Sequence, residues 1–579
     1  MINKWNKTLL AVLIGAALFV EGGFGFGVTA LAAGGEQPQT ADTAAAAGQA
    51  SYSLTPLIQA AVQSASVEAA PSGRRIAVTV RMYNSGTERL RVPDFELRAQ
   101  TADGLEYKLD ASSGNKKALK PQEIAEMVFM SVVDSTSPLE LAGLSFVHVD
   151  EYVYPKQETQ LVSLPLGSDV WYGGAGSTDR LPTRVWGQTF AIPGLNSRLV
   201  YTPAGFSRQT TEKGPAVVVT VLAENKGTGR EAVPDFRIDA ASDQKKYAGV
   251  RTEQGNVQLE AGEKAYIHYA VQLEANAQVD RLIVMTTETF AADGQTTAID
   301  TGKIVIAVPD GGLAEPTLDT GYSIGTPIRI DPLSKAIDHT EISLVELHIQ
   351  QNPGDSYKTG FAKFRLTNTS DKSVPTPSFE AELVSAGGAA YSGMRQTSVP
   401  DTLNPGLGSV ISYAYHIPLS ESSGGFVLKL LDGKTASPYN LTIAALQVPV
   451  QQEVDNGTTL HLYPFDMTLE DWSVGTNYVA TNTTYSYKMK VTLDLKQADN
   501  VVVDSNFSKL HFEVVDKLGR VLGTGDSAFT GTQKLVSGSQ TLATSNIQSE
   551  QIEFPVILNL YEQFDTASGA AKRFLKTLQ

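Results

Sequence analysis

The chain has 579 residues and no cysteine, which excludes disulfide bonds, thiolate catalysis and zinc–thiolate sites. Its 46 basic and 62 acidic residues give a formal net charge of −16, which disfavours nucleic acid as a partner because such binding depends on Lys and Arg neutralising phosphates. At about 100–200 residues per domain, the length predicts roughly three to six domains.

Residues 1–32 have the pattern of a signal peptide. Lys4 and Lys7 give a positive start, and the apolar run Leu9–Val20 follows. Ala30-Leu31-Ala32 is a small-residue cleavage pattern, so we expect cutting after Ala32. The segment therefore predicts an exported protein.

An uncleaved membrane anchor is the alternative for this segment. Glu21 ends an apolar run of only twelve residues, whereas a span needs about twenty. We therefore expect no membrane span after cleavage and a secreted protein, free or associated with the cell wall. Residues 33–50 are small and polar and predict a disordered linker. An exported protein of this size without cysteine is typical of a Gram-positive bacterium.

Three later segments repeat the same spacing. An Asn and a Phe are eleven residues apart in each, at Asn84 and Phe95, Asn225 and Phe236, and Asn368 and Phe379. A Tyr and a Leu are twelve apart, at Tyr107 and Leu119, Tyr247 and Leu259, and Tyr391 and Leu403. Self-similarity at a fixed period marks an array of structural units.

Within each copy the residues predict strands and turns. Ile76, Val78 and Val80 alternate with smaller or polar residues, which indicates a strand with one buried face. The recurring Asn is predicted to form the turn that ends this strand, by bonding to nearby backbone, and the recurring Phe to lie in the core. Helical periodicity is scarce, although residues 55–64 could form one or two turns.

The Asp of the Pro-Asp-Phe motif has no sign of a catalytic role. Asp94 and Asp235 precede the first two Phe residues, but Ser378 takes this place in the third copy. A residue needed for shared chemistry would be missing there, so we interpret the motif as structural.

The junction after the first repeat is rich in aromatic residues. Trp171 and Tyr172 lie close together in the sequence, and Trp186 follows. Such rings can stack on sugars or anchor a partner, so these three residues are the candidate binding platform. The alternative is that they pack the hinge between the first two units.

The last part of the chain is less regular. Residues 485–495 alternate well, and strands are predicted at 510–515 and 554–561, but the Asn and Pro-Asp-Phe signature is missing. We interpret this part as a divergent unit of the same class.

Each unit offers about seven strands with turn signals every 8–12 residues, as in an immunoglobulin-like sandwich. The predicted fold is all-β, a tandem array of about four immunoglobulin-like antiparallel β-sandwich domains. We place them at residues 51–168, 186–308, 322–450 and 458–579, joined by linkers near 168–186, 308–322 and 450–458.

The order strand, Asn-x-Gly, Pro-Asp-Phe, Tyr and Leu resembles bacterial exported immunoglobulin-like domains of unknown function, which are similar to the mycobacterial immunoprotective extracellular protein fold. The likeness covers roughly 75–150, 215–290 and 360–430. It implies an antiparallel sandwich, a surface or secreted location and a binding or structural role. It implies no catalytic residues.

No catalytic or cofactor motif occurs in the sequence. None of the seven His residues forms a metal-binding motif, and neither a nucleophile elbow nor a phosphate-binding loop is present. His268 and His416 occupy equivalent predicted strands and are expected to be half-exposed. We therefore expect no enzyme activity, no metal and no cofactor.

Two functions remain open. The first is a non-enzymatic exported structural or interaction protein of a bacterial envelope or extracellular matrix, a rod of sandwiches for adhesion or assembly. The second is a carbohydrate- or cell-wall-binding accessory protein that uses Trp171, Tyr172 and Trp186. The expected partner is accordingly an envelope protein, a matrix protein or a glycan.

Overall fold

A computed structural model describes residues 51–579 except 136, 168–169, 174, 196, 243–244, 310–317, 453–456, 482–483 and 544–554. The predicted signal peptide and linker lie outside these residues. The described chain is all-β, and its only helix is the 3-10 helix Ala175–Arg180. Its strands surround four large clusters of buried apolar side chains, and we number the strands around each cluster as modules one to four.

Module one contains a nine-stranded sheet that folds over its own core. The strand order is β1-β2-β3-β8-β6-β5-β9-β10, with β11 parallel to β2 and a separate β4–β7 ladder. In chain order, β1–β11 are Tyr52–Ser53, Ile58–Ala70, Gly73–Asn84, Leu90–Arg91, Glu96–Thr101, Glu106–Ala111, Ala118–Leu119, Ile124–Val133, Leu141–Asp150, Gln157–Pro165 and Val170–Trp171.

Module two has two separate sheets, which is the layered arrangement of a β-sandwich. The orders are β12-β22-β21-β16-β17 and β13-β14-β20-β18, with a small β15–β19 ladder. In chain order, β12–β22 are Thr183–Arg184, Leu199–Thr211, Gly214–Asn225, Glu231–Ala232, Arg237–Ala241, Lys246–Tyr247, Gly249–Arg251, Gln258–Leu259, Lys264–Gln272, Arg281–Ala292 and Gln295–Ala307.

Module three repeats this layout. Its sheets run β23-β24-β30-β28 and β27-β26-β31-β32, and β25 pairs with β29. In chain order, β23–β32 are Thr340–Gln350, Tyr357–Asn368, Val374–Pro375, Glu380–Val384, Ala390–Ser392, Met394–Arg395, Thr402–Leu403, Gly408–Pro418, Val427–Asp432 and Leu441–Gln447.

Module four has two four-stranded sheets, β33-β34-β35-β39 and β38-β37-β40-β41, while its β36 pairs in parallel with β30 of module three. In chain order, β33–β41 are Thr459–Leu462, Phe465–Val479, Thr484–Gln497, Val501–Val502, Lys509–Val515, Val521–Ser527, Gly538–Ala543, Ile557–Thr566 and Gly569–Leu578. The strands predicted near 485 and 510 are present.

Each recurring Asn links the turn that follows its strand to the recurring Leu of the same module. Asn225 is fully buried, and its amide donates to the carbonyls of Gly229 and Leu259 at 2.8 and 2.9 Å, while its side-chain oxygen accepts from the Gly227 N–H at 2.8 Å. Asn84 and Asn368 make the matching bonds in modules one and three. The predicted turn role is confirmed, and each Asn also ties its turn to the distant repeated Leu.

The recurring Phe residues pack in the cores, as predicted. Phe236 and Phe379 are 3% and 2% exposed. Phe95 is half-buried, and its ring centroid lies 4.8 Å from that of Phe146.

Residues 55–64 form no helix, and that prediction is wrong. They enter β2, which pairs with β3 along its whole length, and a register shift lies between Val62 and Ser64. This irregularity interrupts the period-two pattern in the sequence, so the strand resembled a helical stretch.

The segment 168–186 was predicted to be a linker. Val170–Trp171 instead extends the sheet of module one, and Thr183–Arg184 extends a sheet of module two. The described part of this connection is thus built into both neighbouring modules.

The strand with one predicted buried face is buried on both faces. Val78 and Val80 lie in the module-one core, whereas Ala77 on the opposite face is also only 2% exposed. Ala77 packs with Phe290 and Ile299 of module two. The second face is covered because module two docks on it.

Candidate functional site

Modules three and four meet through the faces of two sheets. Phe361 and Ala414 on the outer face of the β24–β30 pair contact Phe564 of β40, and the two Phe rings are 5.0 Å apart. Asn352 accepts from the Phe574 N–H at 2.9 Å and donates to the Lys572 carbonyl at 2.9 Å. Apolar packing and backbone recognition together fix the position of one module on the other.

Four charged side chains are buried at this junction, and we call them the charged quartet. Glu346 and Lys363 oppose each other on β23 and β24, with 3.0 Å between Oε2 and Nζ. Glu562 and Arg573 oppose each other on β40 and β41, with 2.9 Å between Oε2 and NH2. Each module therefore contributes one cross-strand ion pair.

The two pairs also contact each other across the junction. Lys363 Nζ lies 2.6 Å from Glu562 Oε1, and Arg573 NH2 lies 3.7 Å from Glu346 Oε2. Lys363 and Glu562 are fully buried. Two positive and two negative charges give a quartet without net charge, which is the condition under which buried charges are tolerated.

Backbone groups of the chain entering module four complete the quartet. Lys363 donates to the Tyr463 carbonyl and Arg573 to the His461 carbonyl, both at 2.9 Å. Glu346 accepts from the Tyr463 N–H at 2.6 Å. The cluster therefore specifies where module four begins as well as how it docks.

His348 lies beside the quartet and responds to its charge. Burial, followed by the positive charges of Arg573 and Lys363, lowers the pKa of the His348 imidazole to about 2. The ring is 6% exposed. It is thus neutral at every pH where the protein would function.

A cleft of about 710 Å³ opens beside this junction. One wall belongs to module three, where Tyr357 at the start of β24 and His416 near the end of β30 place their ring centroids 4.5 Å apart. The other wall belongs to module four and contains Glu513 and Tyr561. A volume of this size is in the range of small-ligand sites.

The module-four wall holds a charged carboxylate. Glu513 Oε1 accepts from Lys572 Nζ at 2.7 Å, and His511 Nε2 lies 3.4 Å from the same oxygen. The His511 hydrogen bond, followed by that of Lys572, lowers the pKa of Glu513 to about 2 against the effect of burial. Burial, followed by the Glu513 charge, raises the pKa of Tyr561 well above its usual range.

The aromatic residues singled out in the sequence do not share one exposed face. Trp171 is 1% exposed and packs with Ile283 and Met285 of module two. Tyr172 packs on the module-one core and accepts from the Leu141 N–H at 3.1 Å. Tyr172 therefore packs against the module-one core and does not form part of an open platform.

Trp186 is half-buried on the module-two core, 6.3 Å from the Phe206 ring. The three rings thus belong to three separate clusters. Only Trp171 packs across the junction of modules one and two, whereas Tyr172 and Trp186 each pack on the core of their own module.

The two His residues on equivalent strands have different surroundings. His268 is 4% exposed and lies 2.7 Å from Glu253, so the expected half-exposed position is wrong for it. His416 is exposed and lines the cleft. The two residues lie on equivalent strands but at different positions, because His268 opposes Thr220, five residues before Asn225, whereas His416 opposes Thr359, nine residues before Asn368.

No known protein family or characterised protein matches this chain. Within the described residues, no helix is long and apolar enough to cross a membrane. The same residues contain no cluster of three or more His, Cys, Asp or Glu side chains placed to hold a metal ion.

The quartet and the cleft escaped the sequence analysis for a physical reason. Glu346 and Lys363 lie on the two strands of one hairpin. A cross-strand ion pair that is exposed to water has the same sequence pattern as a pair that is buried. Only the docking of module four removes them from water. The usable signal was a charge within the otherwise apolar run Leu344–Leu347.

Proposed function

We propose that this chain is an exported, non-enzymatic structural and interaction protein of a bacterial envelope or extracellular matrix. In this proposal the four modules are immunoglobulin-like sandwiches, and the protein serves adhesion or assembly. The observation that supports it best is the interlocked junction of modules three and four, because a protein that holds partners at set positions needs fixed module geometry.

The junction of modules one and two adds to this support. Lys303 of module two is 9% exposed and donates to the Gln63 carbonyl of module one at 3.2 Å. The Ala291 N–H donates to Ser112 Oγ at 2.9 Å. Apolar contacts and hydrogen bonds thus join this pair of modules as well.

A surface suited to a partner lies at the tip of the β9–β10 hairpin. Tyr152 and Tyr154 are each 99% exposed. Asp150 accepts from the Tyr152 N–H at 3.0 Å, and Lys156 pairs with Glu151 at 2.9 Å, which orders the base of the loop. Exposed Tyr side chains are frequent anchors in protein interfaces, and the acidic flank favours a neutral or basic partner surface.

Fractionation of producing cells tests the location, and affinity capture tests the interaction. We expect the protein in the medium or the wall fraction, and we expect the double variant Tyr152→Ser/Tyr154→Ser to capture less of an envelope or matrix protein than wild type. Thr87→Ala, at an exposed position of a turn in the same module, is the matched control. Protein found wholly in the cytosol contradicts export, and turnover of wall polymers that depends on one carboxylate contradicts a non-enzymatic role.

Carbohydrate or cell-wall binding is the second candidate function. The cleft supports it, because paired rings and fixed polar groups line one concave surface. Binding of a soluble wall glycan to the purified chain tests it, and unchanged binding by Trp171→Ala and Trp186→Ala would exclude the platform suggested by the sequence.

A further inference from the structure

We infer that the cleft between modules three and four is a binding site for a neutral saccharide. The inference rests on the second proposed function, carbohydrate binding, and is independent of export and of the Tyr152 hairpin. It assigns a site on residues that the sequence analysis did not connect with binding.

The first argument is that the burial of side chains decreases along one face of β24. Phe361, Thr359 and Tyr357 alternate along β24 and so lie on the same face. Module four covers Phe361, and Thr359 is also buried, whereas Tyr357 lies past the covered part and is half-buried. The face therefore ends in an accessible aromatic ring.

His416 enlarges this aromatic surface. It opposes Thr359 on the paired strand β30, and its ring is tilted by 52° to that of Tyr357. Two adjoining rings that meet at an angle present a concave apolar surface. Ring faces of this kind suit the C–H face of a sugar while its hydroxyls turn to polar groups.

The second argument is the set of polar groups around these rings. Only three lining residues are charged, namely Asp355, Glu513 and Lys572. Asp355 Oδ2 accepts from Asn352 at 3.0 Å, and Glu513 accepts from Lys572 at 2.7 Å, so both carboxylates are held in place. A carboxylate oxygen has further lone pairs that can accept from a hydroxyl.

Charge restricts the class of saccharide. Two carboxylates and one ammonium give the lining a net negative charge, which repels polyanionic glycans and offers no Arg or Lys cluster for phosphate. A neutral saccharide supplies hydroxyls that both donate and accept, which suits a wall with both kinds of group. The cleft volume of about 710 Å³ is within the usual range of small-ligand sites and is far larger than a water molecule or an ion needs.

The mouth of the cleft has apolar side chains on the module-four hairpin. Leu518 is 80% exposed and Val521 is 53% exposed. These side chains extend the contact surface beyond the rings. We therefore expect a chain of several sugar units rather than a monosaccharide to bind best.

Isothermal titration calorimetry of the full chain tests the site. The probes are cellotetraose, maltotetraose, mannotetraose and chitotetraose, with tetragalacturonate as the anionic comparison. We expect at least one neutral tetrasaccharide to bind, and Tyr357→Ala to weaken that binding roughly tenfold or more because it removes a central aromatic contact. Tyr478 is 57% exposed and lies outside the cleft lining, so Tyr478→Ala should bind as wild type does.

A second variant separates loss of the site from loss of folding. Ser568 is exposed on the cleft lining, so Ser568→Trp places a bulky ring in the cleft without removing a packed side chain. We expect it to abolish binding while hydrogen exchange of β24 and β41 stays as in wild type. If a neutral saccharide binds but both variants bind normally, the site assignment is wrong and carbohydrate binding stands. Absence of binding by every neutral tetrasaccharide, or binding of tetragalacturonate alone, overturns both the site assignment and carbohydrate binding.

Discussion

Substitution of Lys363 by Met tests whether the charged quartet holds modules three and four together. Lys363 is fully buried and serves Glu346 at 3.0 Å, Glu562 at 2.6 Å and the Tyr463 carbonyl at 2.9 Å. Met fills a similar length of apolar stem but supplies no charge and no donor. The variant therefore leaves two buried carboxylates that share one guanidinium.

The expected cost follows from this uncompensated charge. Removing one partner of a buried ion pair typically costs about 3–5 kcal/mol. The orphaned Tyr463 carbonyl contributes to the same loss, since an unsatisfied buried acceptor costs about 1–3 kcal/mol. We expect a total near 3–5 kcal/mol, because the two effects overlap in one site.

Hydrogen-exchange mass spectrometry measures this cost locally. The relevant peptides contain β23, β24, β40 and β41, whose amides should exchange faster by about two to four orders of magnitude if they open together. A local readout is needed because a chain with several modules does not unfold in two states. Lys156→Met, which removes an exposed Lys from its pair with Glu151, is the matched control and should change nothing measurable.

A double variant tests the role of net charge directly. Lys363→Met with Glu562→Gln leaves Arg573 and Glu346 as the remaining charges, so the site is neutral again. We expect the double variant to be more stable than the sum of the two single losses, by at least about 1 kcal/mol. Equal protection of wild type and Lys363→Met, or strictly additive losses, would refute the reasoning.

Three further predictions concern other sites. His348 is neutral when folded because its pKa is about 2, so the unfolded chain binds an extra proton below about pH 6.5 and stability falls as pH drops through this window. Hydrogen-exchange protection factors of β23 at pH 7 and 5 should show about 2 kcal/mol of loss that His348→Leu lacks, and equal losses would contradict it. Trp171→Ala should cost about 3–5 kcal/mol at the junction of modules one and two, seen as faster exchange in β21 and β22, whereas unchanged exchange would mean that the ring is not a packing element. Asn225→Ala should destabilise module two by about 2–3 kcal/mol, measured by hydrogen exchange of β14 and β20, since two carbonyls and one N–H lose their partner. The exposed neighbour variant Lys226→Ala should match wild type, and a similar loss in both would argue against a specific role for Asn225.

Local features of the fold could be predicted because they depend on neighbours in sequence. The alternation at Ile76, Val78 and Val80 encodes a strand, and the recurring Asn encodes a turn because its short amide reaches nearby backbone. The helical interpretation of residues 55–64 failed because pairing with β3 overrides a weak local preference, and a bulge hides the alternation.

The candidate site depends on contacts between distant modules. Glu346 and Arg573 are more than two hundred residues apart in the chain, and their strands give no separate sign that they meet. His416 was expected to be a half-exposed strand residue. It lines the cleft because module four packs on only part of β30 and leaves His416 uncovered. Trp171 was grouped with Trp186 by proximity in sequence, but packing assigns them to different clusters.

The sequence by itself determined the repeating elements of this protein. Each fixed interval places one buried Asn at a strand end and one Phe in a core, because turns and period-two strands are decided over a few residues. Tertiary structure alone decided which strand faces lie against another module and which remain open. Which face is covered depends on contacts between whole sheets. Lys363 and Tyr357 both lie on the outer face of β24, but the docking of module four buries the Lys363 charge and leaves the Tyr357 ring accessible.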